Sequence, residues 1–300
     1  MRARDLARLV ALAALWGGSF AFMRVAVPAL GPIWLAWSRV TLAFATLLAF
    51  ALLRGKLPSL SAHWRGYLVI GIVNSALPFV LFCFAEQYVT ASTGAILNAT
   101  SPFFGALAGA IWLGEALGAR RLLGMALGLA GVVLLVGWQR QPLDQPTLVA
   151  VFACLAAALC YGLASVYVKA RMQGVPSFAI ALHSQLIAAV VLAPALPLAT
   201  LPAMPTPLVA ANVLGLALAS TAVAYLLYFR LIADIGPARA LTVTFLIPMF
   251  GVLWGIVFLD ETLAANTMSG CALILAGTWL AVRNAPRPPR ALQASDQGSA

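Results

Sequence analysis

The run "SPFFGALAGAIWLGEALGARRLLGMALGLAG", Ser101 to Gly131, returns 146 residues later as "IPMFGVLWGIVFLDETLAANTMSGCALILAG", Ile247 to Gly277. Pro102, Gly105, Gly109, Glu115, Leu117, Gly124 and Gly131 recur as Pro248, Gly251, Gly255, Glu261, Leu263, Gly270 and Gly277 without a gap. A fixed offset held over such a length marks a duplicated unit. The earlier part of the unit repeats as well. Phe79 and Phe82 return as Tyr225 and Tyr228, and Trp16, Gly17 and Arg24 return as Tyr161, Gly162 and Lys169.

With 63% hydrophobic and 9% charged residues, the chain lacks the charge, normally about a quarter of residues, that covers a globule in water. It reads as an integral membrane protein. Spanning a hydrocarbon core of roughly 30 Å takes about 20 apolar helical residues. Divided at its charges, prolines and turn residues, the chain yields ten segments near residues 6–27, 33–53, 65–87, 90–114, 120–137, 147–168, 177–198, 208–232, 238–259 and 266–282. The first, in "MRARDLARLVALAALWGGSFAFMRVA", has the look of a signal peptide. Its match to the mid-chain sixth segment keeps it as a helix.

A cytoplasmic N-terminus puts fifteen of the 18 Lys and Arg on the cytoplasmic side. Only Arg140 then falls in an outer loop, and Arg24 and Arg39 lie inside helices near the outer end. This bias predicts both termini cytoplasmic. The polar, Pro-rich residues 284–300 predict a disordered cytoplasmic tail. The units 1–137 and 147–283 hold five segments each, and an odd number sends the second copy into the membrane from the opposite side. The expected fold is therefore all-α, with ten transmembrane helices as two inverted five-helix repeats around a central cavity. Transporters reuse that architecture, because exchanging the conformations of two similar halves opens one site to alternate sides.

Enzyme chemistry has little to work with. Cys83, Cys154, Cys160 and Cys271 fall in apolar segments without a CxxC pair, and His63 and His183 are the only histidines. No HExxH, GxSxG or phosphate-loop pattern occurs, so neither an enzyme, a metal nor a cofactor is expected. The net charge of +10 is scattered in ones and twos rather than gathered into a face, which argues against nucleic acid.

Candidate site residues come from the repeat. Pro102 and Pro248 each free the carbonyl four residues earlier, at Asn98 and Thr244, with Thr100, Ser101 and Thr242 close by. A polar, partly broken helix is tolerated where it lines a cavity. The competing reading is a packing kink; on the first reading the two prolines are matched hinges. Phe79, Phe82, Tyr225, Tyr228, Trp16 and Tyr161 either wall that cavity or simply pack. Glycines at i, i+4, such as Gly105 and Gly109, read as packing seams. Glu115 and Glu261 read as structural, accepting from the open N–H groups of the helix that follows, with Glu115 also near Arg120 and Arg121. Arg24 with Glu86 outside and Lys169 with Asp234 inside form opposing gates, or they snorkel.

The chain resembles the drug/metabolite transporter superfamily in its ten-helix EamA-type branch. The resemblance covers residues 6–283 and rests on "WGGSF" at Trp16 to Phe20 and on the duplicated Pro, Gly, Glu, Gly pattern, with Asp260 in place of the glycine before the second Glu. It implies a multi-pass protein of the bacterial inner membrane, working as a monomer, that exports small-molecule metabolites through a central cavity. The whole is similar to the YddG-type exporters of aromatic and other neutral amino acids; exporters of drugs or other organic metabolites share the branch. A channel would need a continuous polar pore.

Overall fold

The computed structural model describes residues 2–137, 144–235, 240, 242–262 and 264–282. The predicted tail 284–300, most of the loop around Arg140, and Leu263 lie outside these. All regular structure among the described residues is helical. Among the described residues six helical stretches are long and apolar enough to cross a membrane: Ala3–Leu53, Ser61–Ala85, Ala91–Leu113, Gln145–Arg171, Ser177–Leu198 and Pro207–Tyr228. Val243–Leu259 is a shorter apolar helix.

Helix α1 (Ala3–Leu53) is helical on both sides of Gly31, whose φ of 71° breaks the ladder between Pro28 and Pro32. Arg39 reaches Met23 Sδ at 3.8 Å across 16 residues, which a straight helix would hold about 24 Å apart. The chain therefore doubles back at Gly31, where the sequence predicts a loop. The 199–203 segment bonds both sides of this turn: Trp34 Nε1 donates to the Ala199 carbonyl, and the Ala203 N–H donates to the Ala29 carbonyl.

The next stretch is α2 (Trp64–Ile70), a wide π-turn over Gly71–Ala76, and α3 (Leu77–Ala85). The segment predicted as one helix over 90–114 is two, α4 (Ala91–Asn98) and α5 (Ser101–Leu113). Beyond α6 (Ala119–Gly137), α7 (Gln145–Arg171) and α8 (Ser177–Leu192) come α9 (Pro207–Leu214), a second π-turn over Gly215–Val223, and α10 (Ala224–Ile235). The bundle closes with α11 (Val243–Leu259) and α12 (Ala265–Val282). The two π-turns occupy repeat-equivalent stretches. Equivalent too are the left-handed C-caps Gly114 (φ 66°) and Asp260 (φ 53°). Asp tolerates that conformation better than most residues with a side chain, so the second cap keeps its geometry without glycine.

Helices in lipid gain little from apolar burial alone, so close backbone approach carries much of their packing. Helix α6 packs on α12, α1 on α11 and α5 on α7. The contacts are reciprocal. A Cβ added at Gly124 would stand 2.6 Å from the Gly277 carbonyl oxygen, and one at Gly131 would stand 2.8 Å from that of Gly270. Gly124 and Gly131 are themselves the repeat partners of Gly270 and Gly277. Likewise a Cβ at Gly17 would meet the Gly251 nitrogen at 2.7 Å, and one at Gly162 the Gly105 nitrogen at 2.6 Å.

Gly124→Ala must therefore push two backbones apart, at roughly 1–3 kcal/mol for an overpacked contact. Thermal unfolding in detergent should show a clear drop in Tm. Gly118→Ala, where nothing lies within 4 Å, should change Tm little.

Candidate functional site

The two π-turns bring four polar side chains to the middle of the apolar bundle: Asn74 and Ser75 on the first, and their repeat partners Ser220 and Thr221 on the second. A π-turn widens the helix and leaves main-chain carbonyls without their ordinary donors. Here Thr221 Oγ1 donates to the Leu216 carbonyl five residues back at 2.8 Å, and Ser220 Oγ donates to the Leu15 carbonyl of α1 at 2.6 Å. Ser75 accepts from Gln185 Nε2 at 3.0 Å, and Tyr225 hydrogen-bonds the side chains of Asn74 and Ser75.

Arg39 enters this cluster from the second limb of α1. Its Nε donates to Thr221 Oγ1 at 3.0 Å, Nη1 approaches Met23 Sδ, and the guanidinium carbon sits 3.7 Å above the centroid of the Phe79 ring. Tyr161, Tyr225 and Cys83 surround it within electrostatic reach. The residue is 5% exposed. Among the described residues no carboxylate forms an ion pair with it, and no hydrogen bond is made by Nη2. Desolvating a guanidinium costs several kcal/mol. A desolvated cation–π contact returns about 2 kcal/mol and one neutral hydrogen bond roughly 1 kcal/mol, so the charge is incompletely compensated.

The predicted aromatic residues do come together, and they pair across the two halves. Trp16 lies 5.4 Å from Tyr228, and their repeat partners Tyr161 and Phe82 stack at 6.1 Å with 23° between planes. Phe82 also meets Phe20 edge-on at 5.4 Å. Phe79 serves Arg39.

The polar residues at the helix break behave differently. The Asn98 carbonyl, which Pro102 leaves without a main-chain donor, accepts from Ser101 Oγ at 2.6 Å; Thr100 Oγ1 donates to the Leu97 carbonyl at 2.7 Å. Thr278 of α12 donates to the Ala99 carbonyl at 3.0 Å. Pro102 sits in the first turn of α5, where a missing N–H costs nothing, whereas Pro248 is inside α11. The matched prolines thus occupy unmatched settings, because the first helix is broken at residues 99–100 and α11 is continuous from Val243. Thr242 is the N-cap of α11, and Thr244 lies in its first turn.

Of the two charge pairs expected, Arg24 reaches Glu86 through the main chain, and Lys169 takes a partner other than Asp234. Arg24 donates to the main-chain carbonyl of Glu86, and the Glu86 side chain lies against Gly94. That carboxyl is fully buried, and among the described residues neither oxygen accepts a hydrogen bond. Lys169 reaches Glu115 at 2.6 Å instead of Asp234, which Arg8 and Arg230 hold at 2.7 and 3.0 Å. Arg121 adds a 3.3 Å contact to Glu115. The Lys169 hydrogen bond holds the Glu115 carboxyl below its usual value of 4.5. Its contribution is therefore present above that pH and lost as pH falls through the lowered value.

The sequence predicts that Glu261 accepts from the incoming α12; among the described residues its partners lie instead at the start of α4. Its carboxylate accepts from the Ala91 and Ser92 N–H groups at 2.7 and 3.1 Å and from Ser92 Oγ at 2.5 Å. It thus caps α4, 169 residues away in sequence. Its repeat partner Glu115 holds side-chain cations, so equivalent carboxylates do different work at the two positions.

A bundle of apolar helices with a polar, cationic cluster at its heart is the interior of a multi-pass membrane transporter. The chain matches the EamA-like transporter family over residues 6–137 and 148–283 and belongs to that family. It is 22% identical over 275 residues to the uncharacterized transporter YoaV of Bacillus subtilis, covering 91% of this chain and 94% of that one. A probable terminal-alkyne amino-acid exporter of Streptantibioticus cattleyicolor is 26% identical over 282 residues, 91% of each chain. A solved crystal structure superposes with a TM-score of 0.66 at 20% identity, over 95% of this chain and 98% of that one, a likeness of fold.

Sequence reasoning underrated Arg39 and passed over Asn74, Ser75, Ser220 and Thr221. The polar pairs could have been found, since they sit at the same 146-residue offset as the motifs quoted first.

Glu261→Ala should leave two helix N–H groups and a serine hydroxyl without their acceptor, and lower stability by about 1–3 kcal/mol, read as Tm in detergent. Asp260→Gly, which removes a side chain from a left-handed position, should leave Tm unchanged or raise it.

Proposed function

We propose that the protein is a secondary transporter that exports small neutral or zwitterionic metabolites, amino acids foremost, by alternating access. The observation that carries this reading is the set of cross-half aromatic pairs, Trp16 with Tyr228 and Tyr161 with Phe82, beside the polar π-turns. They offer an apolar wall and a few fixed polar groups, the usual makeup of a small-molecule site. The amino-acid exporter among the relatives supports the same substrate class.

In this reading residues 1–137 and 147–283 are two inverted five-helix units, giving ten membrane crossings. The reciprocal contacts of Gly124 with Gly277 and Gly131 with Gly270 support it, as residues trade places in this way under a two-fold relation. The different bonds of Glu115 and Glu261 supply the asymmetry between equivalent halves that alternating access requires. Pro102 and Pro248 act as the paired hinges, and the site lies between the halves in a bacterial inner membrane, both termini cytoplasmic. The working unit is a single chain, without nucleic acid.

Counterflow in proteoliposomes tests the substrate class. Neutral amino acids should compete with labelled phenylalanine or leucine, and polyamines and dicarboxylates should not. Efficient carriage of a polyamine would defeat the reading.

Impermeant thiol reagents test orientation and hinges together. A single cysteine in the 199–207 loop should react from outside in every background. Site cysteines should become more reactive from opposite faces in Pro102→Ala and Pro248→Ala; equal reactivity with normal flux would make both prolines packing features.

A further inference from the structure

Among the described residues Arg39 is the one charged side chain in the polar cluster between the π-turns, and its surroundings fit a ligand better than a structural role. The fold supplies Thr221, a thioether and the Phe79 face, yet no carboxylate among the described residues. A side chain needed only to fill this space would do so without charge, because a buried and uncompensated guanidinium opposes folding. The energetic deficit disappears when an anion arrives: a carboxylate against the guanidinium accepts two parallel N–H bonds and neutralises the site.

The geometry points to Arg39 as the anchor for the carboxylate of the transported solute, with the solute's apolar part against Phe79, Phe82 and Tyr161. The inference rests on the export reading above, narrows it to solutes that carry a single carboxylate, and extends it from zwitterions to monoanions. The substrates are small monocarboxylates, amino acids included, and the carboxylate is required while the amino group is not. A single guanidinium ringed by the neutral groups Tyr161, Tyr225 and Cys83 suits one negative charge, which favours carboxylate over phosphate. Binding also explains how such a charge crosses the bilayer: solute and Arg39 each cancel the other's desolvation cost, so the occupied site is close to neutral.

The test uses purified full-length protein and matched probes: leucine and phenylalanine, their methyl esters, 3-phenylpropionate, phenethylamine and inorganic phosphate. Ligand-induced change in unfolding temperature reports binding, and counterflow reports transport. The free acids and 3-phenylpropionate should stabilise the protein and compete with one another. The esters, phenethylamine and phosphate should not. Arg39→Gln should weaken binding of the free acids at least about 30-fold, the effect of removing one member of a buried charge pair. Without ligand, its unfolding temperature should equal or exceed that of the parent, and Arg39→Lys should keep part of the affinity.

Esters or phosphate binding as well as the acids, or Arg39→Gln binding normally, would overturn the anchor. So would an Arg39→Gln variant that unfolds early without ligand, since Arg39 would then be structural. The two readings fail separately. If the parent carries leucine and Arg39→Gln carries it equally well, export stands and the anchor falls. If 3-phenylpropionate stabilises the parent through Arg39 but no solute is carried, the anchor stands and export falls.

Discussion

Inside a bilayer a main-chain N–H or C=O that loses its helical partner has no water to turn to, so every interruption of a helix must be repaired by protein. Several of this chain's polar side chains sit at such interruptions. Ser101 satisfies the carbonyl freed at Asn98, Thr221 satisfies Leu216 in the second π-turn, Trp34 reaches Ala199 beside the Gly31 turn, and Glu261 caps the start of α4. Function then has a scaffold on which to act. A group that repairs a helix is already held in place, and it needs only one spare lone pair to serve a second partner. Thr221 does this, donating to its own helix and accepting from Arg39.

The same economy explains why the halves meet through aromatic rings and glycines. Close approach at Gly17, Gly105, Gly162 and Gly251 brings α1 against α11 and α7 against α5. The aromatic pairs Trp16–Tyr228 and Tyr161–Phe82 link the same two long helices, α1 and α7, to α10 and α3. On the alternating-access reading proposed above, such packing between repeated units is exchanged for the equivalent arrangement with the partners reversed, because both arrangements draw on similar residue types. Glu115 and Glu261 are the places where that equivalence is visibly broken.

Much of this was readable from residue order. The apolar segments, the turn at Gly31 and the break near Pro102 follow from hydropathy, proline and glycine, which act locally. The left-handed cap at residue 260 was foreshadowed by its glycine partner at 114. The aromatic members of the proposed site were legible in the repeat, which returns Phe79 and Phe82 after 146 residues as Tyr225 and Tyr228 and Trp16 after 145 as Tyr161. The ion pairs were not. Lys169 with Glu115, Asp234 with Arg8, and Glu261 with α4 join residues far apart in sequence, and charge alone does not say which opposite charge, or which helix end, will be in reach.

Arg39 draws the line between the two kinds of knowledge. Residue order by itself determined an apolar, duplicated, helical chain and its turn at Gly31, because length, hydropathy and backbone chemistry are properties of consecutive residues. It also placed an arginine about seven residues into a membrane helix, as a snorkelling residue would be. Only the tertiary structure decided that this arginine points into the bundle, over Phe79 and against Thr221 from a π-turn 182 residues away. Direction of a side chain is set by how helices pack, and packing depends on shape complementarity between segments that no local pattern encodes.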